Sequence, residues 1–537
     1  MTKKNFARIL SCGIVLILIL SLATGCGKVE TGSNTTSQSS ASGSTGQETS
    51  GNKEDNSGKV TDKPIEISVL MPGRPEGPIS NDMPIVKEIM NRTGITFKWE
   101  QAPSDGNQYS EKFNILVAGG DIPDIMINSD KLVIIRGGMN GVFEPLNDYL
   151  DKYMPNVVAK FEEKPDVKKT VTNYDGKIYC LTRMTAVKPA NILIIRKDWL
   201  DKLGLEVPTT AEEMYNVLKA FKEKDPNGNG KPDEIPFTCR GKLSSLSPFF
   251  EAFGIYSKDA FFVEDGQVKF SYTDPRFKEG LEYVAKLYKE KLIDNEYLTN
   301  DLNIWQSRLT TDISGMTYDM FVRVDYLNNL MPEPVFEGMI PLKDPEGVAA
   351  TKDQQNPTGA FAAISSKSKY KVEIAKFFNW MYSEEGILLT NFGVEGLTYQ
   401  MVNGQPKYTD LVMKDPNNSA LVQLFSLGFR DNWPYYTDVR YENEMGSEYQ
   451  NKLRDTIDKY IIPKYPMTSF TYIDEEQKVM TNVYTQIQTY YEEMINKFIM
   501  GTEPLDKFDE FVEKINQLGL PEVLKVQQAA YDRYSSN

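Results

Sequence analysis

Apolar and polar positions alternate from Ile65 to Met71, and the apolar ones are largely β-branched, the signature of a half-buried strand. Asn81-Asp82 then reads as the cap of a helix over Met83–Arg92, which Thr93-Gly94 stops. The pattern continues with a strand over Ile95–Glu100, a helix over Tyr109–Ala118 ended by Gly119-Gly120, and a short strand over Ile125–Ile127. Strand, helix, strand, helix, strand predicts right-handed βαβ units and a parallel sheet. Ligands of such sheets bind beyond the carboxyl ends of the strands. The loop Pro72-Gly73-Arg74-Pro75-Glu76-Gly77 follows the first strand and lies at that edge.

A second α/β unit begins near Ile192–Arg196. Thr209 and Thr210 are each followed three residues later by a glutamate, Glu212 and Glu213, which makes two overlapping capping boxes. Behind them Met214, Val217, Leu218 and Phe221 recur at helical spacing as a core-facing stripe. Further amphipathic helices are expected over Phe277–Glu290, Val372–Tyr382 and Val479–Phe498, and no fixed-period repeat is present.

The start of the chain follows a different pattern. Lys3, Lys4 and Arg8 precede the apolar run Ile9–Ala23, as in a secretory signal peptide. Leu22-Ala23-Thr24-Gly25-Cys26 resembles a bacterial lipobox, although the leucine stands one place earlier than usual. Residues 1–25 are thus expected to be removed and Cys26 lipidated. The alternative, an uncleaved membrane anchor, tethers the protein on the same side of the membrane. Residues 27–63 are rich in Ser, Thr, Gly, Asn and Gln and read as a flexible tether reaching roughly 30–35 Å.

Composition narrows the chemistry. The 537-residue chain has a formal charge of −15, or −18 once Lys3, Lys4 and Arg8 leave with the leader, which disfavours nucleic-acid partners. It contains no histidine, so Ser-His-Asp and Cys-His catalysis and histidine metal sites are excluded. Hydrolysis by paired carboxylates survives that test. Cys12 lies in the leader, leaving Cys180 and Cys239 as a pair whose bonding the sequence leaves open.

Several segments together resemble the solute-binding lipoproteins of carbohydrate ABC importers, in particular the LipO-like, alginate-binding group. They are Gly119-Gly-Asp-Ile-Pro-Asp-Ile125, Phe143-Glu-Pro-Leu-Asn-Asp148, Tyr174-Asp-Gly-Lys-Ile-Tyr179 and the long run Ile195–Leu205. Asp274–Leu281, Tyr382-Ser-Glu-Glu-Gly386 and Met500-Gly-Thr-Glu-Pro-Leu505 complete the set, so the resemblance spans nearly all of the chain from residue 64. It implies a type II periplasmic-binding-protein fold, with two α/β lobes joined by a hinge around a ligand cleft. The expected lobes are residues 64–185 with 320–395, and 186–319 with 396–537. A monomer is expected, served by separate permease and ATPase subunits.

Asp225-Pro-Asn-Gly-Asn-Gly-Lys-Pro-Asp-Glu234 is the most explicit chemical motif. Asp225, Asn227 and Asn229 at spacing two, the carbonyl of Lys231, and Asp233 with Glu234 supply the oxygen set that Ca²⁺ takes. An EF-hand would require glutamate at the twelfth place, where Pro236 stands. The calcium loop of the LipO-like group has the form D-x-N-x-N-x-K-x-D-E, which these residues match. A bare Asn/Gly turn is the alternative. The resemblance thus implies a calcium ion that staples a loop.

Sugar sites combine aromatic faces with a few placed polar groups. Trp99, Trp199 and Trp380 sit on strand and helix patterns and read as core. Trp305, within Asn303–Arg308, and Trp433 with Tyr435 and Tyr436 are the candidate platforms. Arg74, Arg183, Arg308, Asp319 and Arg430 are candidate polar partners, with arginine suited to any uronic-acid carboxylate. The reading is therefore an oligosaccharide-binding protein without catalysis. The alternatives are a surface polysaccharide hydrolase or lyase, a sensory partner of a membrane kinase, and a peptide-binding transport component.

Overall fold

The computed structural model describes residues 60–536, apart from 62, 75–76, 101, 104, 129, 186–190, 256–259, 352–357, 416–418 and 463–469. The leader, Cys26 and nearly all of the tether lie outside the described residues. Ser57–Asn537 is a compact unit of its own. In chain order its strands are β1 (Ile65–Leu70), β2 (Ile95–Glu100), β3 (Ile125–Asn128), β4 (Leu181–Met184), β5 (Asn191–Arg196) and β6 (Ile235–Phe237). The hairpin β7 (Phe261–Glu264) and β8 (Gln267–Phe270) follows, then β9 (Ser314–Met320), β10 (Phe336–Gly338) and β11 (Thr358–Ile364). A second hairpin, β12 (Tyr399–Val402) and β13 (Gln405–Tyr408), completes the set among the described residues.

Two sheets organise the body. The first has the order β2-β1-β3-β11-β4 and the second the order β10-β5-β9-β6. As the alternation of helices and strands requires, β1 pairs in parallel with β2 and with β3, while β11 runs antiparallel to β3 and β4. The carboxyl ends of β1, β2, β3 and β4 therefore share one edge with the start of β11. In the second sheet β9 runs parallel to β6 and antiparallel to β5. β5 shows how sequence alternation makes two cores. Leu193 and Ile195 join the main core of the second lobe, while Ile192 and Ile194 face a smaller core with Trp305, Leu309 and Phe336.

The expected helices form, with small shifts. The first spans Pro84–Thr93 and receives no side-chain cap. Asn81 instead donates Nδ2 to the Phe97 carbonyl at 2.7 Å and accepts the Trp99 indole N–H at 2.7 Å, tying the loop to β2. Thr210 caps the helix Ala211–Glu223 by accepting from the Glu213 N–H, and the Glu213 carboxylate reaches back to Thr209.

The chain exchanges lobes later than the expected points near 320 and 396. Phe321, Val324, Leu327, Phe336, Met339 and Leu342 pack with the second sheet, and Tyr399, Tyr408, Val412, Leu424 and Phe425 with the first. The cause is long-range pairing: β10 bonds to β5 and keeps its segment in the second lobe, and β12–β13 covers Phe392 of the first core. The crossings thus fall between β4 and β5, between Thr351 and β11, and between Met445 and Leu453. Cys180 is buried in the first core and Cys239 in the second, and both are free thiols.

Candidate functional site

Polar groups gather at strand ends in two places, one on each sheet. At the first, the loop Gly428–Asp438 is fastened along the end of β4: the Met184 N–H donates to the Tyr435 carbonyl and the Thr437 N–H to that of Met184, each at 2.8 Å. This brings Asp431 between two arginines. Arg74, in the loop after β1, forms an ion pair with Asp431 and lies over the Phe425 ring with Cζ 3.7 Å from its centroid. Arg183 of β4 donates to the Asp431 carbonyl at 3.1 Å and stands 4.0 Å from its carboxylate. Asn432 Oδ1, next along the loop, is buried without a partner.

Beside them a small pocket is lined by Gly73, Arg74, Trp99, Glu100, Ala102 and Arg430. Trp99, read from the sequence as core, is only half-buried here, with its indole edge fixed by Asn81. Arg430 is 4% exposed and spends Nη1 on the Phe425 and Phe429 carbonyls at 2.8 and 2.6 Å, so it braces the loop.

At the second sheet Asp319, near the end of β9, is 6% exposed and is gripped by Arg240, whose Nε and Nη2 donate at 2.7 and 3.0 Å. Arg323 stands 3.9 Å from the same carboxylate. Both guanidinium groups lie over aromatic rings: Arg240 over Trp305 at 5.3 Å, Arg323 over Tyr326 at 4.6 Å. The two places are close in topology, since seven peptide units from Met184 to Asn191 span at most about 25 Å.

Besides Arg430, four sequence-derived candidates take other roles. Trp305 is fully buried: its indole N–H donates to Thr317 Oγ1 at 2.8 Å, and it offers no face to a ligand. Trp433 is 3% exposed and packs on Phe97, Trp99 and Phe377 within the first core. Tyr435 is likewise buried there, against Phe429. Arg308 is consumed by Asp294, Glu296 and Asn300 and staples that segment to its helix. Tyr436 remains half-buried, donating to Glu163 at 2.6 Å beneath Lys160. Sequence reasoning missed Arg240, because it follows β6, a strand of three residues with Pro236 in its middle; it also missed Arg323, which opens the short helix Arg323–Asn328.

The oxygen-rich loop sits at the other end of the second sheet. It feeds into β6, where the Ile235 N–H donates to the Ile313 carbonyl at the start of β9. β9 has seven residues, so the loop and Asp319 are about 20 Å apart. Asp225 adopts φ +45°, and Gly228 and Gly230 take φ +73° and +74°, the left-handed region that glycine tolerates. Asn229 Nδ2 bonds both oxygens of Asp233 at 3.0 and 3.2 Å, and Asp225 accepts from the Asn229 and Gly230 N–H groups. Asn229 holds the Asp233 carboxyl below the usual range. Glu234 is 8% exposed with Oε1 buried and unpartnered, and burial raises its carboxyl, helped by Asp233 and Asp225. Among the described residues no three Asp, Glu, Cys or His side chains stand together as a metal cluster. The converging set here mixes carboxylates with amides, and an orphaned buried carboxylate oxygen is a position that a cation fits.

The model of the bacterial extracellular solute-binding protein family matches residues 78–387. The chain belongs to this family. FusA of Streptococcus pneumoniae, a fructooligosaccharide ABC transporter substrate-binding protein, is 27% identical to this solute-binding protein over 88% of the chain and 90% of its own length. Lipoprotein LipO of Bacillus subtilis is 27% identical over 84% of the chain and 89% of LipO. The alginate-binding protein AlgQ2, solved without calcium ion, superimposes with a TM-score of 0.71 at 30% identity, covering 89% of this chain and 99% of AlgQ2. An EF-hand mutant of FusA has also been solved. Among the described residues no helix of this solute-binding protein is long and apolar enough to cross a membrane.

Proposed function

We propose that this solute-binding protein captures an oligosaccharide outside the cell, between its two lobes, and delivers it to an ABC importer without chemically altering it. The observation that carries the reading is a polar cluster at a strand end of each lobe: Arg74, Arg183 and Asp431 on one, Arg240, Asp319 and Arg323 on the other. A ligand that touches both lobes stabilises the closed arrangement by its differential contacts, which is how such a hinge would report occupancy. Trp99 and Tyr436, each half-buried, are the apolar faces for the sugar rings. Lipidation of Cys26 and the tether of residues 27–63 would hold the body beside its permease.

The same reading assigns calcium to the loop 225–234. Asp225, Asn227, Asn229, Asp233, Glu234 and the Lys231 carbonyl would hold it, and the ion would neutralise carboxylates that otherwise repel one another. Its distance from Asp319 makes it a staple of the loop.

The test is a thermal-shift and calorimetric screen of the Ser57–Asn537 unit against plant, fungal and bacterial oligosaccharides. Binding to the native state raises stability by about 2.7 kcal/mol at a hundredfold excess over Kd. A shift with one sugar class, followed by recovery of intact sugar, is the expected result. Shifts with peptides alone, or recovery of cleaved sugar, would overturn the proposal.

A further inference from the structure

Two segments picked out in the sequence play no part at the cleft: Phe143-Glu-Pro-Leu-Asn-Asp148 and Tyr174-Asp-Gly-Lys-Ile-Tyr179. The fold brings them together. Asn147 Nδ2 donates to the Gly176 carbonyl at 3.1 Å, its Oδ1 accepts from the Ile178 N–H at 3.0 Å, and the Leu146 N–H donates to the Ile178 carbonyl at 2.7 Å. The Glu144 N–H donates to the carbonyl of Ile364, the last residue of β11. The other end of β11 pairs with β4 beside Arg183, at the cleft edge. A strand of this length spans about 20 Å, so the two segments meet at the outer end of the first lobe, away from the cleft.

Here the surface opens into a hollow of about 400 Å³, within the size range of small-molecule sites. Its deeper lining is aromatic. Tyr149 and Tyr153 stand four residues apart on the helix Asn147–Tyr153 and share a face, while Leu150 is buried in the first core. Their ring centroids are 6.3 Å apart with the planes inclined at 44°, and both side chains are half-buried. Tyr149 is held in place: its hydroxyl donates to Glu144 Oε1 at 3.2 Å, and Lys371 pairs with the other oxygen of that carboxylate at 3.0 Å. The exposed lining is polar and of both signs, from Asp148, Lys152 and Lys177. Neither these three side chains nor the Tyr153 hydroxyl bonds to any described residue.

We infer that this hollow is a second carbohydrate site, outside the cleft, which holds part of a neutral oligo- or polysaccharide chain. A sugar stacks the apolar face of its ring on aromatic side chains and presents hydroxyls that both donate and accept. The two tyrosine rings meet the first need. Two ammonium donors, a carboxylate acceptor and a phenol that can do either meet the second. Glu144 and Lys371 cancel, and Asp148 opposes the two remaining lysines, so little net charge is left to favour a phosphate or a free carboxylate. The inference goes beyond the cleft reading and shares with it only the class of ligand. Every residue of the hollow belongs to the first lobe, so the site is complete whatever the hinge does. A long chain held there stays at high local concentration near the cleft, which raises capture without any new contact inside it.

The experiment is electrophoresis of the Ser57–Asn537 unit through native gels containing inulin, xylan, galactomannan or polygalacturonate, with calorimetric titration of the matching oligosaccharides. One of the neutral polymers is expected to retard the protein. Tyr153→Ala is expected to weaken that retardation at least fivefold while leaving tight oligosaccharide binding within twofold. Trp99→Ala, at the cleft, is expected to do the reverse. Should Tyr153→Ala fail to fold, the double change Lys152→Ala with Lys177→Ala, at exposed positions, is expected to weaken retardation likewise. Retardation that survives the changes at the hollow places the polymer elsewhere and overturns the inference. Retardation by polygalacturonate alone, or by no polymer, also overturns it, and leaves the cleft reading standing wherever an oligosaccharide still binds. Absence of binding by every polymer and every oligosaccharide overturns both.

Discussion

Arg240 holds Asp319 through two parallel hydrogen bonds, at 2.7 and 3.0 Å, directly above the buried Trp305. The pair links the end of β6 to the end of β9. Asp319→Ala removes the acceptor and leaves Arg240 and Arg323 facing each other uncompensated. Charged hydrogen bonds of this kind contribute about 1.5–3 kcal/mol, and a loss in that range is expected in urea unfolding. Arg240→Ala should cost more stability than Asp319→Ala, because it strands a buried carboxylate, whereas the arginine left by the other change is partly solvated.

Trp433 and Trp99 touch each other but belong to different tasks. Trp433→Ala empties a packed core position and should destabilise by about 3–5 kcal/mol. Trp99→Ala, at a half-buried pocket wall, should cost clearly less stability and weaken sugar binding at least fivefold. Denaturant unfolding and titration on the two variants separate the roles. If Trp433 dominates binding and Trp99 only stability, the site as drawn is wrong.

A Cβ added at Gly359 would stand 2.8 Å from Arg183 Nε and 3.0 Å from its Cβ. Gly359→Ala should therefore displace the arginine without removing its charge. Because the contact includes the Arg183 Cβ, which cannot swing away, some stability should be lost together with a several-fold fall in affinity for the sugar. Equal affinity in calorimetry would show that the placement of Arg183 does not matter.

Lys131 is 6% exposed, donates to the Thr170 carbonyl at 3.0 Å, and is pushed down to about 8 by burial, against the pull of neighbouring Cys180 and Asp130. Its folded value lies below the ordinary lysine value. The unfolded chain thus binds more protons between about pH 8 and 10.5, and this residue's contribution to stability rises across that window. At pH 7 the buried charge is a burden. Lys131→Met should gain on the unaltered protein at pH 7 and lose that advantage as the pH approaches 10. A difference in melting temperature that stays constant with pH would refute it.

If the loop 225–234 holds calcium, EDTA should lower the melting temperature and Ca²⁺ restore it, while Mg²⁺, which demands near-octahedral geometry, restores it poorly. Asp225→Ala and Asp233→Ala should melt low and ignore both reagents. Melting that is unaffected by EDTA in the unaltered protein would return the loop to a plain turn.

What the sequence disclosed was local. The opening βαβ units and the Thr210 cap depend on period and on neighbouring residues, and both are visible in a linear string. The misread tryptophans show the limit. Trp305 sits among polar neighbours, yet on the helix Leu302–Thr310 it shares one face with Leu309, four residues on, and that face is buried. With no helix assigned to the segment, the period goes unseen. Trp433 lies in a true loop, but its burial depends on main-chain bonds to Met184, some 250 residues earlier, which no local pattern reveals. Arg240 was missed for a related reason: a three-residue strand carrying a proline takes its identity from its partner, β9.

Cys180 and Cys239 are the only cysteines of the Ser57–Asn537 unit, one in each core, and burial pushes both thiols up to about 12. Protonated and enclosed, neither reacts readily at neutral pH. A cysteine introduced on the surface of each lobe would thus take a fluorescent dye without competition from the native pair. The opening and closing of single molecules then becomes measurable as energy transfer, with the native sequence otherwise intact.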